Sequence, residues 1–293
     1  MRWLLAILLA ASCACAWAQA SSDLLVEAVQ SPAWLERAGK REPLSVGMRL
    51  SGEDRVISGQ NARVLLRMPE GSLVKLGADG RLDLDRLALR EERDSFLVTA
   101  ALNVVKGAFR FTTQAARRFQ GRREVDVRIA TVTVGIRGTD LWGKAADDRD
   151  IVCLIEGRIS VQRESEPAFA MDQPLSFYIA PKNAPPLPVA PVPKEQLEIW
   201  SAETEIQPRA GATRTDGDWL VYLTDVVTEV QARALHAALR DAGVPAELHP
   251  VELRGNVFYR VRIRQLPSLD EANALAERLR AFPGVTTPSV VRG

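Results

Sequence analysis

Residues 218–293 repeat themselves once. Trp219, Val221 and Leu223 recur 40 positions later as Tyr259, Val261 and Ile263, and Ala232, Leu235, Leu239 and Arg240 recur as Ala272, Leu275, Leu279 and Arg280. In each half an alternating run, the mark of a strand, precedes apolar residues spaced three and four apart, the mark of a helix. Thr228 with Gln231 and Ser268 with Glu271 have capping-box spacing, and Gly243 stops the first helix. "AELHPVEL" and "VFYRVRIRQL" are strands joined at Arg254-Gly255-Asn256, and "TTPSVVR" is a last strand after Gly284. The order is βαββαβ, a ferredoxin-like α+β unit whose two helices cover one face of a four-stranded sheet and leave the other open. Side chains alternate along a strand. Trp219, Val221, Leu223, Tyr259, Val261 and Ile263 then face the helices. The open face receives Leu220, Tyr222, Thr224, Phe258, Arg260, Arg262 and Arg264.

Residues 21–163 have a different rhythm. "ARVLLRM", "SLVKLG", "RLDLDRL", "FLVTAAL", "GAFRFTT", "VDVRIATVTV" and "DIVCLIEG" read as strands. Turns at Glu70-Gly71-Ser72, Asp79-Gly80, Lys106-Gly107 and Glu156-Gly157 separate several of them, which makes this an all-β unit. Residues 164–217 read as a spacer with a short helix. "APKNAPPLPVAPVPK" is proline-rich and extended, "KEQLEIWSAETEI" is the helix, and "QPRAGATRTDGD" is a flexible joint. The chain is therefore multidomain.

The first 20 residues, "MRWLLAILLAASCACAWAQA", have the layout of a secretory signal peptide: Arg2, an apolar stretch from Trp3 to Ala11, and Ala18-Gln19-Ala20. Ala10-Ala11-Ser12-Cys13 is a distant lipobox without its leucine, so lipid anchoring at Cys13 is the alternative. After cleavage only Cys153 remains, within an apolar run where a small buried hydrophobe is expected. No other run is long enough to span a membrane, so the mature chain is expected to be periplasmic without an integral membrane segment.

The β-rich region resembles the FecR domain family. The resemblance runs over about residues 24–163 and rests on Gly52-Glu53-Asp54, Ser58-Gly59, Glu70-Gly71-Ser72, "LNVVKGAFRFTT", the G-x-R-G-T segment from Gly135 through Arg137 and Gly138 to Thr139, and Glu156-Gly157 to Val161. It implies a periplasmic, β-solenoid-like domain. In "TVTVGIRGTDLWG" the glycines allow positive φ or close backbone approach. Arg137 then either holds a buried turn, on carbonyls or on an acid such as Asp140, or belongs to an anion or saccharide loop.

Residues 217–292 resemble a SPOR domain through the βαββαβ order, "WLVYLTDV…ARALHAALRDAGVPAELH" and "FYRVRIRQL…EANALAERLR". SPOR domains bind peptidoglycan glycan strands stripped of stem peptides. The family's usual first-strand glutamine and following glycine or serine are Tyr222 and Thr224 here, with Arg262 and Arg264 at the same places of the second repeat. These residues depart from the family's pattern, and the glycan contact is expected from the open face itself, through Tyr222, Thr224, Arg260, Arg262 and Arg264. An aromatic ring stacks on sugar faces and arginines bond hydroxyls and carboxylates. A solvated polar face is the other reading of these residues.

No phosphate loop, dinucleotide fingerprint, nucleophile elbow or zincin motif occurs. His236 and His249 have no second ligand at metal spacing. No catalytic residue, metal or cofactor is expected. A formal net charge of +1 points away from nucleic acid. Asp83 and Asp85 alternate as a solvated strand face does, and "RRFQGRR" (117–123) is a solvated loop or a contact to an anionic envelope component. The expectation is an exported, non-enzymatic envelope protein. Its SPOR-like domain would bind glycan strands and tether a β-domain that engages an envelope protein or polysaccharide. The alternatives are a signalling component related to FecR-type sigma regulators, a structural or assembly role, and a cell-wall enzyme with an unrecognised site.

Overall fold

The computed structural model describes residues 22–92, 95–113, 121–136, 138–164, 166–224 and 227–293. The leader with Cys13, the arginines at 117 and 118, and Arg137 lie outside the described residues.

The N-terminal unit is all-β, as its alternation requires. In the strand Ser95–Thr112, Val98, Ala100, Leu102 and Val104 are buried while Thr99, Ala101 and Asn103 are not. This strand serves two sheets and changes between them near Gly107 (φ 88°). Beyond that point it pairs, in the first sheet, with Leu73–Leu76 and Asp140–Ala145; before it, in the second sheet, with Arg81–Glu92 and Gly121–Ile129. The first sheet adds Leu24–Gln30, Arg63–Arg67, Arg149–Glu156 and Ser176–Pro181. The second adds Ala33–Arg37, Arg55–Ser58, Val132–Ile136 and Ile159–Arg163. One core draws on both sheets, with Leu66, Phe109 and Phe111 from the first and Leu35, Leu82, Leu102, Val127 and Val134 from the second. Side chains of this size contribute about 2 kcal/mol each when fully buried.

The expected solenoid does not describe this pairing. The coils of a parallel β-helix stack in parallel. Among the described strands of this unit only Gly121–Ile129 runs parallel to its partner, and the other ladders are antiparallel.

The stretch 164–217 is not a free spacer. Phe169–Met171 extends the second sheet, and Ser176–Pro181 and Ala190–Pro191 extend the first. Helix α1 (Lys194–Ala202) lays Trp200 flat on Trp142, with centroids 4.8 Å apart and planes 8° apart, and Phe177 meets Trp200 edge-on at 5.6 Å. Beyond α1, Glu203 pairs with Lys144 at 2.9 Å, and Glu205 with Lys75 at 2.5 Å and Arg110 at 3.1 Å. Thr213–Arg214 then pairs with Leu24–Gln30. Proline-rich composition hid these strands, because Met171, Tyr178 and Ala180 are spread thinly among prolines yet all are buried.

The C-terminal unit has the predicted architecture. Its sheet runs in the order Glu247–Leu253, Asn256–Leu266, Trp219–Tyr222, Ser289–Arg292, every neighbour antiparallel. Helices α2 (Glu229–Asp241) and α3 (Leu269–Leu279) bury Ala232, Leu235, Leu239, Ala272, Leu275 and Leu279 against Val221, Leu223, Val261 and Ile263. Thr228 and Gln231 form the full capping box. At α3 only half of the expected box forms. Ser268 accepts from the Glu271 amide, while the Glu271 carboxylate turns outward and accepts from the backbone N–H groups of Arg209 (2.7 Å), Gly211 (2.7 Å) and Ala212 (3.0 Å). The joint predicted as flexible is thus gripped by α3.

The two units also touch directly. The Ala33 amide donates to the Gly243 carbonyl at 3.1 Å, and the Trp34 ring lies against Gly243. Arg278 donates to the Ser31 carbonyl (3.2 Å), the Ser31 hydroxyl (2.9 Å) and the Ala210 carbonyl (2.8 Å). These contacts engage the end of α2 and the α3 layer, so the strand face opposite the helices carries none of them.

Candidate functional site: the open strand face of the C-terminal unit

Strand register decides what this face presents. Tyr222 stands between Arg262 on one neighbouring strand and Ser289 on the other. One strand further out, Glu247 faces Arg262 and His249 faces Arg260. The Arg260 guanidinium carbon sits 5.0 Å from the Tyr222 ring centroid, within cation–π range. The His249 ring lies 6.2 Å from Tyr222 at an angle of 40°. Arg262 Nε donates to Glu247 Oε2 at 3.3 Å. The face thus has an aromatic ring steadied by one guanidinium, a second guanidinium fixed by an acid, and the exposed Arg264 beside the bulge at Gln265 (φ 65°).

Four of the five residues expected there are there: Tyr222, Arg260, Arg262 and Arg264. Thr224 is not. It is 4% exposed, and its hydroxyl accepts from the Val261 amide at 3.3 Å. The strand has ended by then, so the alternation that would aim Thr224 outward no longer holds, and the hydroxyl completes the ladder instead. Leu220 is also outward by alternation yet 8% exposed, across from Val291. His249 was missed. The signal was its two-residue spacing from Glu247 and Val251, which places all three on one face, but only pairing reveals that this face adjoins Arg260. Burial lowers the His249 pKa first, Arg262 and Arg260 lower it further, Glu247 opposes them, and Arg264 adds a smaller decrease.

The G-x-R-G-T segment lies in the β-unit. Gly135 is on the strand Val132–Ile136, and Gly138 takes φ 82° in the turn that follows. Thr139 is buried, and its carbonyl accepts from the Thr113 amide and hydroxyl, both at 3.1 Å. Asp140, the acid suggested for Arg137, accepts from Arg110 Nε (2.9 Å), Arg110 Nη2 (2.7 Å) and the Thr112 hydroxyl (3.2 Å). The ladder places Thr112 opposite Asp140, and Arg110 reaches it from two residues along the same strand face. Cys153 is buried, and desolvation with help from Asp140 pushes its thiol up to about 12, so it is no nucleophile at neutral pH. Among the described residues no group of three or more His, Cys, Asp and Glu side chains is arranged to hold a metal ion, and no helix is long and apolar enough to cross a membrane.

Comparison with known families names the modules. Residues 54–160 match the family model described as FecR protein, and residues 215–287 match the SPOR domain. The chain carries a FecR domain followed by a C-terminal SPOR domain. Both are non-catalytic domain families, and SPOR domains bind peptidoglycan. No curated protein matches the chain. Two crystal structures of a protein described as an anti-sigma factor from Parabacteroides distasonis ATCC 8503 are similar to it at 15% identity and a TM-score of 0.39. They cover 82% and 78% of this chain and 99% and 91% of their own.

Proposed function

We propose that this is an exported, non-enzymatic envelope protein. In this reading its SPOR strand face holds peptidoglycan glycan strands freed of stem peptides, and its FecR domain engages a second envelope component. The observation that carries the reading is the Tyr222 ring with Arg260 against it on an unobstructed strand face. A phenol ring stacks on the apolar face of a sugar. Arg262 and Arg264 offer forked donors for hydroxyls and for the carboxylates that stem-peptide removal uncovers. The periplasm is the compartment this reading requires. The grip of Glu271 and Arg278 makes the FecR domain a fixed outrigger of the glycan-bound unit rather than a passenger on a loose tether.

The test is retention of the full mature chain on sacculi, intact or treated with an amidase, beside a Tyr222→Ala, Arg262→Ala variant. Retention on amidase-treated sacculi that is markedly weaker in the variant than in the parent chain is the expected result. Equal retention of both proteins, or none of either, overturns the reading. The FecR match supports a second reading, a signalling-related component, in which glycan occupancy is the input and a protein contact of the FecR domain the output.

A further inference from the structure

A cleft of ≈ 720 Å³ lies on the outer face of the FecR domain's second sheet, far in sequence from the SPOR face. Its floor is a cross-strand row: Asp126 pairs with Gly135, Gly135 with Ser160, and Ser160 with Ala170. A Cβ at Gly135 would stand 2.5 Å from Ser160 Oγ and 3.6 Å from Asp126 Oδ1. A hydroxyl and a carboxylate therefore converge over the one position of the row that has no side chain. Neither group bonds to a described residue, so both are available to a ligand.

The walls decide what kind of ligand. Arg123 and Arg158 stand there with Glu124, and among the described residues they make, with Asp126, two cations against two anions. Arg123 is largely covered, its Nε 3.9 Å from the fully buried carboxylate of Glu70. Arg158 is only loosely engaged by Asp172, at 3.6 Å. Balanced charge gives a phosphate or other multiply charged anion no net attraction. Among the described residues the lining has no aromatic side chain and carries charged groups at its rim, which disfavours an acyl chain or apolar peptide. Alternating fixed donors and acceptors suit a ligand whose every hydroxyl both donates and accepts. The volume is within the range of small-ligand sites, about 300–1,000 Å³. We infer that this cleft binds a neutral saccharide, with Asp126 accepting and Ser160 and Arg158 bonding its hydroxyls over Gly135. The chain then has two separate carbohydrate sites, and this one stands independently of the SPOR face.

Calorimetric titration of the full mature chain with chitotetraose, the β-1,4-linked N-acetylglucosamine tetramer, tests this in the Tyr222→Ala, Arg262→Ala background, where the SPOR face is disabled. Binding is expected to remain. Gly135→Val, which fills the floor from an outward-facing position, and Asp126→Ala are each expected to weaken it at least about tenfold, the scale of one hydrogen bond to a charged group. Inorganic phosphate is expected neither to bind nor to compete. Asp126 is exposed, so its variant decides the matter if Gly135→Val fails to fold. No binding in this background, residual binding that a folded Asp126→Ala chain retains in full, or competition by phosphate would each overturn the inference. Failure of the SPOR-face reading shows separately, as identical titrations with and without Tyr222 and Arg262.

Discussion

Arg110 meets Asp140 fork to fork, Nε on Oδ1 at 2.9 Å and Nη2 on Oδ2 at 2.7 Å. The arginine belongs to "GAFRFTT" and the acid ends the G-x-R-G-T-D segment, so two stretches of the FecR pattern are the two halves of one ion pair. The Asp140 side chain is 4% exposed and that of Arg110 18%. Removing one partner of a buried pair leaves an uncompensated charge. Arg110→Ala is expected to cost about 3 kcal/mol, read as a lower urea midpoint at unchanged slope. Arg110→Lys keeps the charge without the fork and is expected to lose less. An unmoved midpoint in Arg110→Ala would show that the pair does not hold the sheet.

Trp200 covers Trp142, the largest fully buried side chain of the FecR domain. Trp200→Ala is expected to cost about 3 kcal/mol and to free α1. Limited proteolysis should then cut between 194 and 205, where the parent chain resists. Equal resistance would mean that the Glu203 and Glu205 ion pairs suffice to hold the strap.

Glu271 binds three backbone amides of the segment joining the units. Glu271→Ala is expected to abolish slow hydrogen exchange at Arg209, Gly211 and Ala212 while leaving the α3 amides protected. The loss in stability is expected to be about 1–3 kcal/mol, that of a carboxylate removed from charge-assisted bonds. Unchanged exchange at these amides would show that Glu271 does not hold the joint.

His249 is expected to titrate below its ordinary 6.5, since burial and the neighbouring arginines disfavour the imidazolium. The folded state then binds fewer protons than the unfolded one in the interval between the two pKa values. The contribution of His249 to stability is present above about pH 6.5 and lost as pH falls through the folded pKa. NMR titration of the imidazole checks this, and Arg262→Gln should move the pKa upward. A value at or above 6.5 in the parent chain would refute the arrangement of charges on this face.

Much of the SPOR domain was legible because its information is local. The capping pair Thr228–Gln231 and the two apolar helix stripes each lie within a few turns of chain, and the 40-residue repeat states the pattern twice. Period-two alternation likewise placed Tyr222, Arg260 and Arg262 on one face. It failed at Thr224 because alternation is a property of paired strand, and the strand Trp219–Tyr222 stops two residues earlier. It missed His249 because which strand lies beside which is not written in either strand. Glu271 has the spacing of a capping box, yet its carboxylate found better donors in a segment some 60 residues away, which no local rule anticipates.

The sequence by itself determined the order of modules, the β character of the first and the βαββαβ course of the second, since hydrophobic period and turn chemistry act over short distances. Tertiary structure alone decided three things. It turned the proline-rich stretch into edge strands and a strap, because apolar side chains such as Tyr178 and Trp200 bury wherever a complementary surface is offered. It chose antiparallel ladders over a solenoid. And it brought Arg110 onto Asp140, because strand register sets which charges come within hydrogen-bond reach, and register is fixed by the whole core rather than by any one segment.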